Sequence, residues 1–136
     1  MIHEVRIIFG DTDQMGIVYY ANYLRFFEGA RAAYWRALGR SYKDLEAAQV
    51  AMPVVEAHCN YKRSAFYEDV LAIETEVTEM RAASLVFGYT VRRRTGSDDV
   101  VLADGFTRHA ITGPSGKPRA IPDFIRQLVT VKPLVR

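Results

Sequence analysis

The apolar residues of this chain repeat with a helical spacing in its first part and with a strand spacing in its second part. This change of spacing limits the folds that the chain can adopt. From Tyr20 to Leu38 the apolar residues recur at helical spacing, whereas after Pro53 they alternate with polar residues. The helical stripe consists of Tyr20, Tyr23, Leu24, Phe27, Tyr34, Trp35 and Leu38, with Ala30 between them. Gly39 follows at the position where glycine commonly ends a helix. A helix this aromatic needs an apolar sheet face to cover it.

The remaining segments supply that sheet. Alternation predicts one strand before the helix and four after it, and the short turns between the later strands favour antiparallel pairing. The predicted strands are His3–Phe9, Val54–Ser64, Val70–Arg81, Ser84–Arg94 and Val100–Thr112. Ser41–Gln49 and Pro122–Leu128 are predicted to be short helical segments. The sequence therefore predicts an α+β fold in which a five-stranded antiparallel sheet wraps around one long helix.

Length and composition limit the domain organisation and the class of function. The 136 residues suffice for one domain, 1–136, and the linker-like stretches Gly96–Asp99 and Gly113–Pro118 are too short to separate two. A net charge of +2 argues against a nucleic-acid binder, which would carry a concentrated basic patch. No apolar run approaches the length of a membrane span, and no signal peptide is visible. With a single cysteine, Cys59, the sequence predicts a cytoplasmic protein.

The loop Gly10–Gly16 is the most promising site for chemistry. It carries two carboxylates, Asp11 and Asp13, between an apolar strand and the predicted start of the long helix. A helix start offers free N–H groups and a positive dipole end, which can polarise a carbonyl while a carboxylate attacks it or activates water. Spacing alone leaves open the alternative that Asp13 is a turn aspartate bonded to its own backbone.

The stretch from Asp11 to Glu28, DTDQMGIVYYANYLRFFE, resembles the signature of the 4-hydroxybenzoyl-CoA thioesterase family, including its Tol–Pal-associated acyl-CoA thioesterases. The resemblance is dense from Arg6 to Arg31 and weaker through Asp69–Phe87 and Pro118–Phe124. It implies the hotdog fold and hydrolysis of a thioester to a carboxylic acid and coenzyme A. It also implies a homodimer or homotetramer with an acyl-CoA substrate.

The resemblance assigns roles to the loop and to the helix start. Asp13, the second aspartate of the motif, corresponds to the nucleophile or general base, and Asp11 is expected to be structural. Gly16 is expected to let the backbone pass close to the acyl group. The backbone N–H of Tyr20 corresponds to the donor that hydrogen-bonds the thioester oxygen. The Tol–Pal-associated members commonly carry histidine at this position, so Tyr20 agrees better with the aryl-CoA type.

The sequence pattern supports the predicted substrate-binding residues less strongly than the predicted catalytic residues. Asn22 is expected to bond the loop or the helix start, and Tyr23 to pack in the core or to line an acyl pocket. Arg81 lies where the family has basic residues near the nucleotide, and Arg92 belongs to a basic run that is either a solvated edge or a phosphate contact. Lys62 and Arg63 are further candidates for the phosphates.

The sequence contains no metal-binding motif, and the expected chemistry needs no cofactor, since coenzyme A is part of the substrate. The predicted function is therefore an acyl-CoA thioesterase. The alternative is a non-hydrolytic acyl-CoA or acyl-carrier binding module on the same fold.

Overall fold

The computed structural model describes residues 1–94 and 99–134, so most of the linker-like Gly96–Asp99 stretch lies outside the described residues. The strands are β1 (Ile2–Arg6), β2 (Val54–Tyr61), β3 (Val70–Met80), β4 (Ser84–Arg93) and β5 (Val100–Ala110). The helices are α1 (Asn22–Ala37), α2 (Tyr42–Ala47) and α3 (Asp123–Leu128). The type and order of the predicted elements are confirmed.

The strands form one antiparallel sheet in the order β1-β3-β4-β5-β2, which leaves β1 and β2 at its edges. Helix α1 packs on one face of the sheet and contacts β1, β2 and β3. The inward residues of β3 are Leu71, Ile73, Thr75 and Val77, all fully buried, as their alternation predicts. The aromatic stripe of α1 meets them: Tyr23, Phe27, Tyr34 and Trp35 are all buried. The predicted hotdog arrangement, a sheet wrapped around one long helix, is confirmed.

Two boundaries differ from the prediction around the Asp13 loop. Strand β1 ends at Arg6 rather than Phe9, because Phe9–Asp11 forms a 3₁₀ turn and the Asp11 carboxylate accepts the Ile8 N–H at 3.0 Å. Helix α1 begins at Asn22 rather than Tyr20, after a turn in which the Asn22 N–H donates to the Tyr19 carbonyl at 3.0 Å. Both ends of the loop are thus set by local hydrogen bonds, which hydrophobic periodicity does not reveal.

A chain of polar side chains crosses the otherwise apolar core between α1 and the sheet. Arg31 Nη1 lies 3.1 Å from the Tyr89 hydroxyl, which lies 2.6 Å from Thr107 Oγ1. Thr107 Oγ1 in turn lies 2.8 Å from His109 Nε2, and His109 Nδ1 lies 2.9 Å from the Met52 carbonyl oxygen. Arg31, Tyr89, Thr107 and His109 are all buried.

The direction of every hydrogen bond in this buried chain follows from its last member. A carbonyl only accepts, so His109 Nδ1 must carry the proton that it donates to Met52. Burial lowers the pKa of His109 to about 4, so the ring is neutral and its Nε2 accepts from Thr107. Thr107 then accepts from Tyr89, and Tyr89 accepts from Arg31. The chain runs in one direction, from the guanidinium to the carbonyl.

In residues 1–94 and 99–134 no helix combines the length and the hydropathy needed to cross a membrane.

Candidate active site

The Asp13 loop is a tight turn held by its own backbone. The Asp13 N–H donates to the Ile17 carbonyl at 2.9 Å, and the Gly16 N–H donates to the Asp13 carbonyl at 3.0 Å. The Met15 N–H donates to Asp13 Oδ1 at 2.8 Å, which fixes the carboxylate. Among the described residues nothing donates to Asp13 Oδ2. One carboxylate oxygen is therefore held by the turn, and the other has no hydrogen-bond donor among these residues.

Gly16 has a φ of +79°, in the left-handed region that only glycine adopts readily. A Cβ built at this position would meet no atom within 4 Å. The positive φ accounts for glycine in this turn, and the predicted close approach of Gly16 to the acyl group stays a prediction.

Asp11 lies two residues before Asp13 but in a different environment. Its side chain is buried, and both of its oxygens are used. Oδ2 accepts the Ile8 N–H, and Oδ1 accepts Arg25 Nη2 at 3.0 Å. Its backbone carbonyl accepts the Tyr19 N–H at 2.9 Å and the Asn22 side-chain amide at 2.8 Å. Asp11 therefore connects the loop to the start of α1.

The loop also binds the segment between β2 and β3. The Val18 N–H donates to the Ala65 carbonyl at 2.9 Å, and Ile17 forms a bridge with Phe66. Arg93, from the end of β4, donates to the Ser64 carbonyl and pairs with Asp69 at 3.1 Å. Arg93, which is distant in sequence, thus holds the segment between β2 and β3 against which the Asp13 loop packs.

A pocket of about 220 Å³ opens beside Asp13. Its lining residues are Asp13, Met15, Ile17, Val18, Tyr20, Tyr23, Tyr61, Lys62, Arg63 and Ser64. The rings of Tyr20 and Tyr23 each meet the Tyr61 ring edge to face, with centroids 6.2 and 5.2 Å away. The Tyr61 hydroxyl donates to the Tyr20 carbonyl at 2.9 Å, which connects the end of β2 to the start of α1. The structure thus brings together Asp13, Tyr20 and Tyr23, three of the predicted site residues.

The amide of Tyr20 lies in the turn that leads into α1. Among the described residues, the N–H groups of Tyr20 and Ala21, the two residues just before α1, donate to no acceptor. They lie at the positive end of the helix dipole. Tyr23 is 3 % exposed, and burial raises its pKa to about 12, so its hydroxyl is neutral at pH 7.

The other predicted substrate-binding residues lie outside this pocket. Asn22 donates its side-chain amide to the Asp11 carbonyl, as expected for a residue that bonds the loop. Arg92 pairs with Glu74 at 3.2 Å and with Asp99 at 3.6 Å. Arg81 lies in the turn between β3 and β4, paired with Glu79 at 3.1 Å.

Sequence reasoning missed Tyr61 and Ser64 as pocket residues. Both lie where β2 ends, and only the sheet order shows that this end meets the start of α1. Lys62 and Arg63 also line the pocket, and Lys62 pairs with Asp104 at 2.8 Å. Within residues 1–94 and 99–134, no cluster of His, Cys, Asp and Glu side chains has the arrangement needed to hold a metal ion.

Comparisons with known proteins identify the family of this chain. The family model of the Thioesterase-like superfamily matches residues 7–129. The acyl-CoA thioester hydrolase YbgC of Escherichia coli O6:H1 is 36% identical over 122 residues, 89% of each chain. The 4-hydroxybenzoyl-CoA thioesterase of Pseudomonas sp. (strain CBS-3) is 37% identical over 102 residues, 73% of this chain and 72% of that protein.

A solved structure extends the likeness to the whole fold. It is a crystal structure of an aspartate-to-asparagine mutant of 4-hydroxybenzoyl-CoA thioesterase complexed with 4-hydroxybenzoyl-CoA. It matches with a TM-score of 0.86 and 29% identity, covering 96% of this chain and 98% of that one. The hotdog arrangement, the family match and the named relatives together show that this chain belongs to the thioesterase-like superfamily and is a thioesterase.

Proposed function

We propose that this thioesterase hydrolyses acyl-CoA and that Asp13 is the group that starts the reaction. The observation that carries the proposal is the difference between the two oxygens of Asp13. Oδ1 accepts the Met15 N–H, and Oδ2 is left without a donor beside the pocket. The named relatives, a YbgC acyl-CoA thioester hydrolase and a 4-hydroxybenzoyl-CoA thioesterase, support coenzyme A as the thiol of the substrate.

In the proposed reaction the thioester carbonyl lies between Asp13 and the start of α1. Asp13 attacks the carbonyl carbon or removes a proton from an attacking water. The Tyr20 N–H and the positive end of the helix dipole stabilise the negative charge that develops on the oxygen. The C–S bond then breaks, and the coenzyme A sulfur takes up a proton. If Asp13 is the nucleophile, water hydrolyses the resulting anhydride and regenerates the carboxylate; if Asp13 is the base, the attacking water already supplies the second oxygen. Either route releases a carboxylic acid. No cofactor takes part.

The aspartate can be tested directly. Asp13→Asn keeps the shape and the Met15 contact, but it removes the charge, so kcat is expected to fall about 10²- to 10⁴-fold. Free thiol released from benzoyl-CoA and hexanoyl-CoA measures the rate, and circular dichroism checks the fold. Activity within about threefold of wild type would contradict the role of Asp13. Binding of acyl-CoA without turnover by the wild-type protein would favour the binding-module alternative.

Single turnover in H₂¹⁸O separates the two possible roles of Asp13. A nucleophilic Asp13 displaces coenzyme A and forms an anhydride with the acyl group. Water that attacks the aspartyl carbon of this anhydride places ¹⁸O in the Asp13 carboxylate, whereas water that attacks the acyl carbon places ¹⁸O in the acid. Label that mass spectrometry finds in the peptide containing Asp13 therefore identifies a nucleophile. A general base leaves this carboxylate unlabelled after every turnover.

We also propose that the protein assembles through β2 into a homodimer, or a homotetramer built from such dimers. β2 is an edge strand, and Val54 and Val55 on it are exposed. An unpaired edge with exposed valines favours pairing with a second copy. Light scattering at micromolar concentration is expected to give at least twice the protomer mass, and a monomer mass would contradict the proposal.

The phosphates of coenzyme A require basic residues near the pocket. Lys62 and Arg63 line it within one protomer. Arg81 lies at the far end of β3, whose 11 residues span roughly 35 Å, so it would reach such a pocket only from another protomer. If Arg81 contacts the nucleotide, Arg81→Ala raises KM for acyl-CoA but not for an acyl-pantetheine that lacks the nucleotide. Arg63→Ala provides the matched comparison.

The pocket supports aromatic or short-to-medium acyl groups over long fatty chains. The pocket has a volume of about 220 Å³, and Tyr20, Tyr23 and Tyr61 are among the residues that line it. The measurement is kcat/KM across benzoyl-, hydroxybenzoyl-, butyryl-, hexanoyl- and palmitoyl-CoA. A maximum at palmitoyl-CoA would reject this preference without affecting the role of Asp13.

A further inference from the structure

Tyr61, at the end of β2, contacts the residue whose N–H is the proposed donor to the thioester oxygen. Its hydroxyl lies 2.9 Å from the Tyr20 carbonyl oxygen, and the two rings meet edge to face with centroids 6.2 Å apart. A carbonyl only accepts, and a phenol is neutral at pH 7, so the Tyr61 hydroxyl is the donor. Tyr20 is thus held at its carbonyl, while its N–H has no acceptor among the described residues.

The start of α1 lacks the local side-chain cap that fixes many helices. The residue at the N-cap is Ala21, whose side chain cannot accept a hydrogen bond, and alanine is among the weakest N-cap residues. The Tyr23 N–H also donates to the Tyr20 carbonyl, but at 3.3 Å, compared with 2.9 Å for the Tyr61 hydroxyl. The shorter contact at this carbonyl therefore comes from the sheet and not from the helix.

Both peptide units that flank Tyr20 are held at their carbonyl oxygens. The unit before it is held by the backbone, because the Tyr19 carbonyl accepts the Asn22 N–H at 3.0 Å. The unit after it is the one that Tyr61 holds. Since a peptide unit is planar, a contact at its oxygen fixes the whole unit, including the Tyr20 Cα at one end. Tyr61 therefore supplies the side-chain part of the support for the Tyr20 backbone.

The segment that begins at Tyr61 also supports the other half of the site. Further along it, the Ala65 carbonyl accepts the Val18 N–H at 2.9 Å, which holds the Asp13 loop. One short segment thus contacts both the loop that carries the carboxylate and the turn that carries the Tyr20 amide. A displacement of about 1 Å between reacting groups can lower a rate by about 10²-fold, so this support bears on the rate.

We propose that Tyr61 is a positioning residue for the oxyanion donor. Its hydroxyl holds the Tyr20 backbone so that the Tyr20 N–H meets the thioester oxygen as negative charge develops on it. Tyr61 acts through Tyr20 and does not itself contact the reacting atoms. This inference rests on the proposed thioesterase function, and it adds to that function a residue from the edge strand β2.

Kinetics test the role of the hydroxyl. Tyr61→Phe keeps the ring and removes only the donor. With benzoyl- or hexanoyl-CoA, whichever is cleaved faster, kcat is expected to fall about 10-fold or more, and KM to change less than about threefold. A variant with 4-aminophenylalanine at position 61 keeps a donor N–H on the ring and is expected to recover much of kcat. Tyr67→Phe, at an exposed tyrosine outside the Asp13 pocket, is the matched control and is expected to keep the wild-type kcat.

Three results would overturn the positioning role. The first is an unchanged kcat in Tyr61→Phe. The second is a raised KM with an unchanged kcat, which would place the hydroxyl in substrate binding. The third is a loss of kcat that comes with a loss of fold in circular dichroism or of oligomeric mass in light scattering, which would make the role of the hydroxyl purely structural.

Infrared difference spectroscopy separates this inference from the proposed function. Benzoyl-CoA with a ¹³C-labelled carbonyl is bound to Asp13→Asn, which is expected to leave the thioester intact. The carbonyl stretching frequency is expected to be lower than in solution, because the Tyr20 N–H donates to the oxygen. Adding Tyr61→Phe is expected to move the frequency back toward its value in solution. An equal lowering in both variants would overturn the role of Tyr61 alone, whereas no lowering in Asp13→Asn would overturn the donor role of Tyr20 and that of Tyr61 with it.

Discussion

The Asp13 loop and the buried chain from Arg31 to His109 are both polar, and both lie beside α1, but they are held in opposite ways. The turn at Asp13 is formed by short-range bonds that use one oxygen of Asp13, while no described residue donates to the other. In the buried chain each bond fixes the direction of the next, and its members lie far apart in sequence. The comparison separates a turn that leaves one carboxylate oxygen without a donor from a buried network whose members bond one another across the core. Arg31 is the exception, since it belongs to the network but its buried Nε has no partner among the described residues.

The largest expected effect on stability comes from breaking the buried chain at Thr107. In Thr107→Val, the Tyr89 hydroxyl loses its acceptor and His109 Nε2 loses its donor. Two unsatisfied buried groups are expected to lower the free energy of unfolding by about 2–5 kcal/mol, measured by urea denaturation.

Thr75 provides the matched control for this change. Its hydroxyl is fully buried in β3 and has no partner among the described residues. Thr75→Val removes an unsatisfied group, so it is expected to be neutral or to stabilise by about 1 kcal/mol. If both valine variants destabilise equally, the hydrogen bonds of the buried chain add nothing beyond packing.

Acid is expected to weaken the core through His109. Burial lowers its pKa to about 4 in the folded protein, against 6.5 as the ordinary value. Between these values the unfolded chain binds more protons, so stability rises with pH and falls as pH drops from 6.5 to 4. The full loss is about 3 kcal/mol. His109→Gln should flatten the pH dependence of the free energy of unfolding in this range.

At the loop, the two aspartates are expected to separate stability from chemistry. Asp11→Asn weakens the ion pair with Arg25 and the hydrogen bond that the Asp11 carboxylate accepts from the Ile8 N–H. The free energy of unfolding should therefore fall by about 1–3 kcal/mol. The rate per folded molecule should change far less than in Asp13→Asn. A variant that keeps its stability but loses kcat would instead place Asp11 in the chemistry.

The smallest effect is expected at Gly16. Gly16→Ala forces a side chain into the left-handed region and should destabilise the protein by about 1 kcal/mol. Gly10→Ala is the control, because φ there is ordinary and a Cβ meets no atom within 4 Å. Equal thermal melting temperatures for the two variants would show that the turn tolerates alanine.

The sequence allowed the fold to be predicted because its signals are local. The alternation in β3 and the aromatic stripe in α1 each indicate which face of the element is buried. Gly39, with a φ of +80°, follows the end of the helix, as expected. The start of α1 at Asn22 was missed, because a turn between Tyr19 and Asn22 competes with the helical period.

Less of the candidate site than of the fold could be predicted from the sequence. Asp13 and the Tyr20 N–H followed from a family resemblance, not from spacing, which left a turn aspartate equally plausible. Tyr61 enters the pocket only because β2 lies at the sheet edge beside the start of α1. The bond between Arg31 and Tyr89 requires α1 to be docked on the sheet, and no local pattern encodes that.

The bonds that join the Asp13 loop to the β2–β3 segment also bear on the order of folding. Val18 bonds Ala65, and Ile7 bonds Asp69, so both contacts need parts of the chain that are synthesised much later. Helix α1 can form from nearby residues, but the turn that presents Asp13 gains these supports only after distant strands have paired. During refolding, helical signal should therefore return before hydrolysis does, and a nascent chain that ends before Ala65 would have its aspartate without the wall that supports it.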